Sequence, residues 1–131
     1  MRTCRKLCYI VALLEINKDM IKFSFLIQKL PELSNQEFVD YHKNIHAPLF
    51  SSIPEAQQYV RKYVVSHPIE TPGFPKPIYD AVTDIYFDSL DDYHHFFSSE
   101  NFLKKVNPDH SNFFDENNFV VLVMNETEVI G

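Results

Sequence analysis

The sequence predicts a single α+β domain with the ferredoxin-like order β-α-β-β-α-β, and three observations carry that expectation. The first is a run in strict alternation, Ile21 to Lys29 (IKFSFLIQK), with Phe23, Phe25 and Ile27 on one face and Ser24, Leu26 and Gln28 on the other. The second is a pair of serine-led helix starts, at Ser34 and Ser89, each followed by aromatic residues at helical spacing. The third is the doubly apolar character of the later strand-like runs, of which residues 119–124 (FVVLVM) are the plainest. At 131 residues, 45% of them hydrophobic, with twelve Phe and seven Tyr, the chain has the material for one core.

The elements follow in order. Ile21 to Lys29 is the first strand. After Pro31, Ser34-Asn35-Gln36-Glu37 has the form of a capping box, in which Ser34 caps a helix and Glu37 reaches back. Phe38, Tyr41, His42, Ile45 and Leu49 recur at helical spacing and form the stripe expected against the sheet. Pro48 disfavours helical geometry at Ala47, so this helix is expected to end or kink near His46. Gln57 to His67 reads as the second strand. Pro68, Pro72, Pro75 and Pro77 make the next segment a long, stiff loop. Tyr79 to Phe87 is the third strand. Ser89, with Asp92 three residues on, begins the second helix, whose stripe is Leu90, Tyr93, His94 and Phe97. A short helix is expected around Pro108 to Phe114, and Asn118 to Glu128 is the last strand.

Two crossover helices cover only one face of such a sheet. Yet Val82 and Tyr86, Ile85 and Phe87, and both phases of residues 119–124 are apolar, where a sheet with one wet face should alternate more cleanly. A second copy of the same sheet is the economical cover, so a homodimer is expected.

Composition excludes several function classes. The formal net charge is −6 and no run of Lys or Arg stands out in the body, which argues against nucleic acid or an acidic membrane as partner. Two glycines, Gly73 and Gly131, are too few for a phosphate-cradling loop or a dinucleotide fingerprint. Both cysteines, Cys4 and Cys8, lie in the first eight residues, so the body holds no thiol nucleophile and no cysteine-based zinc site. That usage suits a reducing, cytoplasmic setting. Residues 1–19 place Arg2, Arg5 and Lys6 before the apolar run Leu7 to Leu14, which mimics a signal peptide. The run is short, ends in Glu15, lacks a small-residue cleavage site and cannot span a bilayer. It reads as an extension before a start at Met20, or as an accessory element packed on the domain, and the domain is taken as residues 20–131.

Three stretches carry a family resemblance. Phe38, Tyr41 and His46-Ala47-Pro48-Leu49 resemble the helix signature of the EthD family. Tyr79-Asp80-Ala81 leading to Tyr86-Phe87-Asp88-Ser89-Leu90 is similar to its third strand and second helix start, and Val106-Asn107-Pro108-Asp109 with Phe113-Phe114-Asp115 to its closing segment. The likeness spans roughly residues 20–130. It implies a dimeric α+β barrel without a metal or organic cofactor. Related families hold monooxygenases, lactone isomerases and polyketide cyclases that act on small, often aromatic, molecules. An oxidoreductase label commonly follows the family. His42 departs from the pattern, since relatives more often carry a large aromatic residue there, whereas Asp84 sits where relatives often carry an acid.

His46 is the first candidate for chemistry. It flanks the apolar stripe at the edge of the space between helix and sheet, and an imidazole there suits proton transfer to or from an enol, phenol or lactone. The plain alternative is a helix-end histidine bonding a terminal carbonyl. Asp84, in phase with Val82 and Tyr86, is the expected partner that orients His46, or else a structural partner for a lysine or tyrosine. Tyr59, Tyr63 and Tyr86 are candidates to line a substrate cavity, with core packing as the alternative for each, and His67 is placed at its mouth, where the proline-rich loop begins. His110 is expected to be exposed. His42 and His46 share a helix face but have no third ligand and no intervening Glu, so no metal site is assigned. The expected function is acid/base or oxidative chemistry on a small aromatic or lactone-type molecule without a cofactor, by an oxidoreductase, isomerase or lyase. The alternative is a dimeric ligand-binding or accessory protein without turnover.

Overall fold

Ser34 and Glu37 do what their spacing requires. The Glu37 amide donates to the Ser34 hydroxyl at 3.1 Å, and the Ser34 amide donates to the Glu37 carboxylate at 2.9 Å. The box closes and fixes the start of the first helix. The computed structural model describes residues 20–131, so the expectation for residues 1–19 lies outside the described residues. The elements are β1 (Ile21–Lys29), α1 (Asn35–Tyr41), a π-helical turn (His42–His46), α2 (Ala47–Ser52), α3 (Pro54–Tyr59), β2 (Val60–Ser66), β3 (Ala81–Phe87) and α4 (Leu90–Phe97). A second π-helical turn (Phe102–Val106), a 3₁₀ turn (Asn107–Asn112) and β4 (Phe114–Met124) complete the fold. The four strands form one antiparallel sheet in the order β2-β3-β1-β4, the ferredoxin-like arrangement.

The helix does not end at His46. Instead, the Ala47 amide reaches back five residues to the His42 carbonyl, and Pro48 falls in the first turn of the resumed α-helix, where its missing donor costs little. This wide turn decides which residues face inward. In a regular α-helix, positions four apart drift by about 40° per step. With a turn widened to i→i+5 bonding, Phe38, His42, His46 and Phe50 stay in line, and all four are buried. Ile45, expected in the stripe, is instead half exposed. Two histidines are thereby carried into the interior.

Other boundaries differ from expectation for local reasons. Gln57 to Tyr59 are helical because Pro54 opens a short helix, so β2 begins at Val60. β3 begins at Ala81, and β4 begins at Phe114, inside the segment expected to be helical. The Asp92 amide donates to Ser89 at 3.1 Å and starts α4 as expected, but its buried residue is Phe96, flanked by Tyr93 and Phe97, while Leu90 faces out.

The sheet phase is set by β3. Ala81, Thr83, Ile85 and Phe87 are buried against the helices, so Val82, Asp84 and Tyr86 point to the other face. The register pairs Phe23 with Ile85 and Val123, and Ser24 with Asp84 and Leu122, which fixes both faces across β1. The helix side packs Phe23, Phe50, Phe87, Phe96 and Phe102 into one cluster and Ile27, Phe38, Phe113 and Phe114 into another. Between the two clusters the interior stays open.

Candidate active site

That opening is a cavity of about 230 Å³ between the first π-helical turn and the sheet. Eight phenylalanines line it, among them Phe25, Phe113 and Phe119. Its polar wall includes His42, His46, Tyr63, Thr83 and His110. It is roomier than the ~150 Å³ cavity that accepts benzene, and it combines an aromatic wall with a few polar groups, as small-molecule sites do.

His46 is held by Asp109. Its Nδ1 lies 2.9 Å from Asp109 Oδ2, and the ring is 4% exposed. The other carboxylate oxygen accepts from the Tyr41 hydroxyl and, at 3.0 Å, from the Asn112 side-chain amide. An ionised carboxylate can only accept, so His46 carries its proton on Nδ1 and leaves the Nε2 lone pair free. Nε2 has no partner among the described residues, and no fully buried side-chain polar atom there lacks one, so Nε2 opens on the cavity. Burial lowers the His46 pKa, and the Asp109 carboxylate offsets only part of that fall. For Asp109, desolvation works upward, but the bonds from Tyr41, Asn112 and His46 outweigh it and hold the carboxyl below its usual range. The arrangement is a neutral imidazole base, oriented by an anion that stabilises its protonated form.

His42 is buried one turn earlier. Its Nδ1 lies 3.1 Å from His67 Nε2 and its Nε2 lies 3.4 Å from Thr83 Oγ1. Burial pulls its pKa down to about 3, with repulsion from His67, His46 and His110 adding to the fall. Tyr63 stacks on Phe50 at 4.2 Å, and burial raises its pKa, so it stays a neutral O–H donor in the cavity wall.

The expected pairing of His46 with Asp84 is not formed. Asp84 lies on the opposite face of the sheet, where it accepts from Ser24 at 2.5 Å and sits 3.9 Å from the Lys22 ammonium. Tyr86 lies on that face too, donating to Glu126 at 2.8 Å, and is no part of the cavity. Both corrections follow from one residue of strand phase. Tyr59 ends α3 beside His95 and does not line the cavity, and His67 stands behind His42 rather than in the wall. Of the expected site residues, the structure brings His46 and Tyr63 together. His110, expected at the surface, is largely buried and lines the cavity. Asp109 was legible only as part of the closing Asn-Pro-Asp run. Asp84→Asn is accordingly expected to leave the His46 titration unchanged by NMR; a displaced midpoint would contradict the placement of the two residues. Among the described residues, no helix is long and apolar enough to cross a membrane, and no three His, Cys, Asp or Glu side chains form a metal-binding group.

Comparison with known proteins agrees with this architecture. The EthD domain model matches residues 30–117. The dehydratase aurZ of Gibberella zeae is 31% identical over 97 residues, which cover 66% of this chain and 64% of that protein, so the chain spans less than two thirds of that relative's length. An EthD family protein of Bacillus halodurans superposes with a TM-score of 0.64 at 20% identity, covering 82% of this chain and 99% of the other. A dimeric protein of unknown function with a ferredoxin-like fold, from Bacteroides fragilis, superposes with a TM-score of 0.60 at 14% identity, covering 82% and 96%. These two likenesses establish the fold. With its family model matched over residues 30–117, more than half of its length, the chain belongs to the EthD domain family.

Proposed function

We propose that this protein is a small-molecule lyase of the dehydratase kind, in which His46, oriented by Asp109, is the general base. The observation that carries the reading is the His46–Asp109 pair with its free nitrogen on an aromatic-walled cavity. The dehydratase name of the Gibberella zeae relative supports the reaction class. An imidazole removes a carbon-bound proton only when a neighbouring carbonyl acidifies it, so the substrate is a β-hydroxy carbonyl compound, and the phenylalanine wall favours an aromatic one. His46 Nε2 takes the proton from the carbon beside the carbonyl, and the C–H electron pair becomes the C=C bond. The C–O bond to the β-hydroxyl breaks with its pair, and the leaving hydroxide takes the proton back as water. Asp109 stabilises the imidazolium between these steps. Every proton and electron pair is accounted for by these side chains and the substrate.

The test is a screen of aromatic β-hydroxy ketones for the near-ultraviolet absorbance of the conjugated enone. Turnover in the wild type that His46→Ala abolishes supports the reading. Binding with no turnover across the panel would instead favour the accessory-protein alternative.

Assembly belongs to the same proposal. β4 is an edge strand whose Phe119, Val121 and Leu122 are 39–46% exposed on its two faces. A second copy packed on the helix-free face of the sheet would cover Leu122 and its same-face neighbour Val120, and the dimeric state stated for the Bacteroides fragilis protein is consistent with this. Light scattering is expected to give about twice the 15.4 kDa chain mass; a stable monomer would count against it.

A further inference from the structure

His110 has no task in the mechanism just given. Its ring lies 5.1 Å from that of His46, centroid to centroid, in the wall of the same cavity. Around it are Phe25, Phe102, Phe113 and Phe114, with centroids 5.0 to 6.4 Å away. Neither ring nitrogen bonds any described residue. An imidazole set among phenylalanines, with both nitrogens unused, calls for a ligand. No fully buried side-chain polar atom lacks a partner among the described residues, so both nitrogens reach open space, and the space beside them is the cavity.

We propose that His110 is the second substrate-contacting residue, donating its N–H to the carbonyl oxygen of an aromatic ketone while His46 works at the adjacent carbon. The proposal rests on the lyase reading above and names the part of the substrate that reading leaves unheld. When His46 removes the proton, charge gathers on the carbonyl oxygen of the enolate. A donor fixed there bonds more strongly in the transition state than in the ground state. Burial and the neighbouring His46 lower the His110 pKa to about 4, so at neutral pH the ring is uncharged and still carries one N–H to give. A neutral imidazole donor does not compete with His46 for the proton being moved. Two imidazoles side by side thus divide the work, one as base and one as oxygen-binding group.

The test uses acetophenone and its oxygen-free isostere α-methylstyrene with the full chain, read by long-range ¹H–¹⁵N spectra of the histidine rings. Acetophenone is expected to bind saturably and to move the ring nitrogens of both His46 and His110. His110→Phe should weaken acetophenone about 10-fold, the contribution of one hydrogen bond, and leave α-methylstyrene unchanged, which also shows the cavity intact. His110→Gln, which restores an N–H, should bring acetophenone back to within about 3-fold of the wild type. Equal acetophenone affinity in the wild type and His110→Phe, with His46 still moved, would overturn the assignment of His110 alone. Failure of both compounds to move His46 would overturn the cavity reading on which it rests.

Discussion

Asp109→Asn is expected to lower kcat by about 10²- to 10⁴-fold, with little change in KM or in the circular dichroism spectrum. The reason lies in what the asparagine must do with its two ends. Tyr41 and Asn112 both donate to the same oxygen of Asp109. In the variant they claim the amide oxygen, which leaves the amide N–H₂ facing His46. A donor in that position needs Nδ1 as acceptor, so the imidazole proton moves to Nε2, the atom that must be free to take a proton. The negative charge that stabilises the imidazolium is lost at the same time. The pH profile carries the sign. His46 must be neutral to act, and its pKa lies below the usual histidine range, so kcat/KM should rise with pH along a limb centred below about 6.5 and stay level through neutrality. A variant with unchanged kcat would remove Asp109 from the chemistry.

The wild type is expected to lose stability steeply in mild acid, and His42 is the chief cause. Its folded pKa is near 3, against about 6.5 in an unfolded chain. Between those values the unfolded state binds more protons than the folded state, so stability is full above about pH 6.5 and falls as the pH drops toward 3. The fall is about 1.4 kcal/mol per pH unit for this one group, or roughly 2 kcal/mol at pH 5. His110 and His46 are also lowered and act in the same direction. Against a total stability of about 5–15 kcal/mol, a loss of this size is a substantial fraction. Replacing His42 by phenylalanine keeps a ring beside Phe38 and Phe113 and removes the titration. Urea unfolding at pH 7 and pH 5 should therefore show a drop about 2 kcal/mol smaller in His42→Phe. An identical drop in both proteins would show that His42 is not the group that charges.

Much of the fold was legible because its signals are local. The alternation of Ile21 to Lys29, the box at Ser34 and Glu37, and the Ser89 cap each lie within a few residues, and all three formed as read. The strand ends were less so: Gln57 to Tyr59 alternate like a strand, yet Pro54 gives them a helix start. The inward stripe of the first helix was misread at Ile45 because a π-helical turn leaves no mark in composition; its sign here is the four-residue spacing of Phe38, His42, His46 and Phe50. The phase of β3 was undecidable from the chain, since Val82 and Tyr86 are as plausible inside as Ile85 and Phe87. Burial of Ala81 and Phe87 settled it and sent Asp84 outward. Asp109 stayed hidden because it reaches His46 across 63 residues, while a small acid after a proline reads simply as a turn or cap. His46 was therefore visible in the sequence as a candidate, and Asp109, the carboxylate that holds it, was not.

The most direct measurement of the central claim is the ring-nitrogen spectrum of His46 from pH 4 to pH 9 in the wild type and in Asp109→Asn. In the wild type, His46 should be the neutral Nδ1–H tautomer at pH 7, with an acid midpoint below about 6.5. In Asp109→Asn the midpoint should fall further, because the carboxylate that favours the charged ring is gone, and the proton should appear on Nε2. A wild-type His46 with its proton on Nε2 at pH 7, or a midpoint and tautomer identical in the two proteins, would contradict the account.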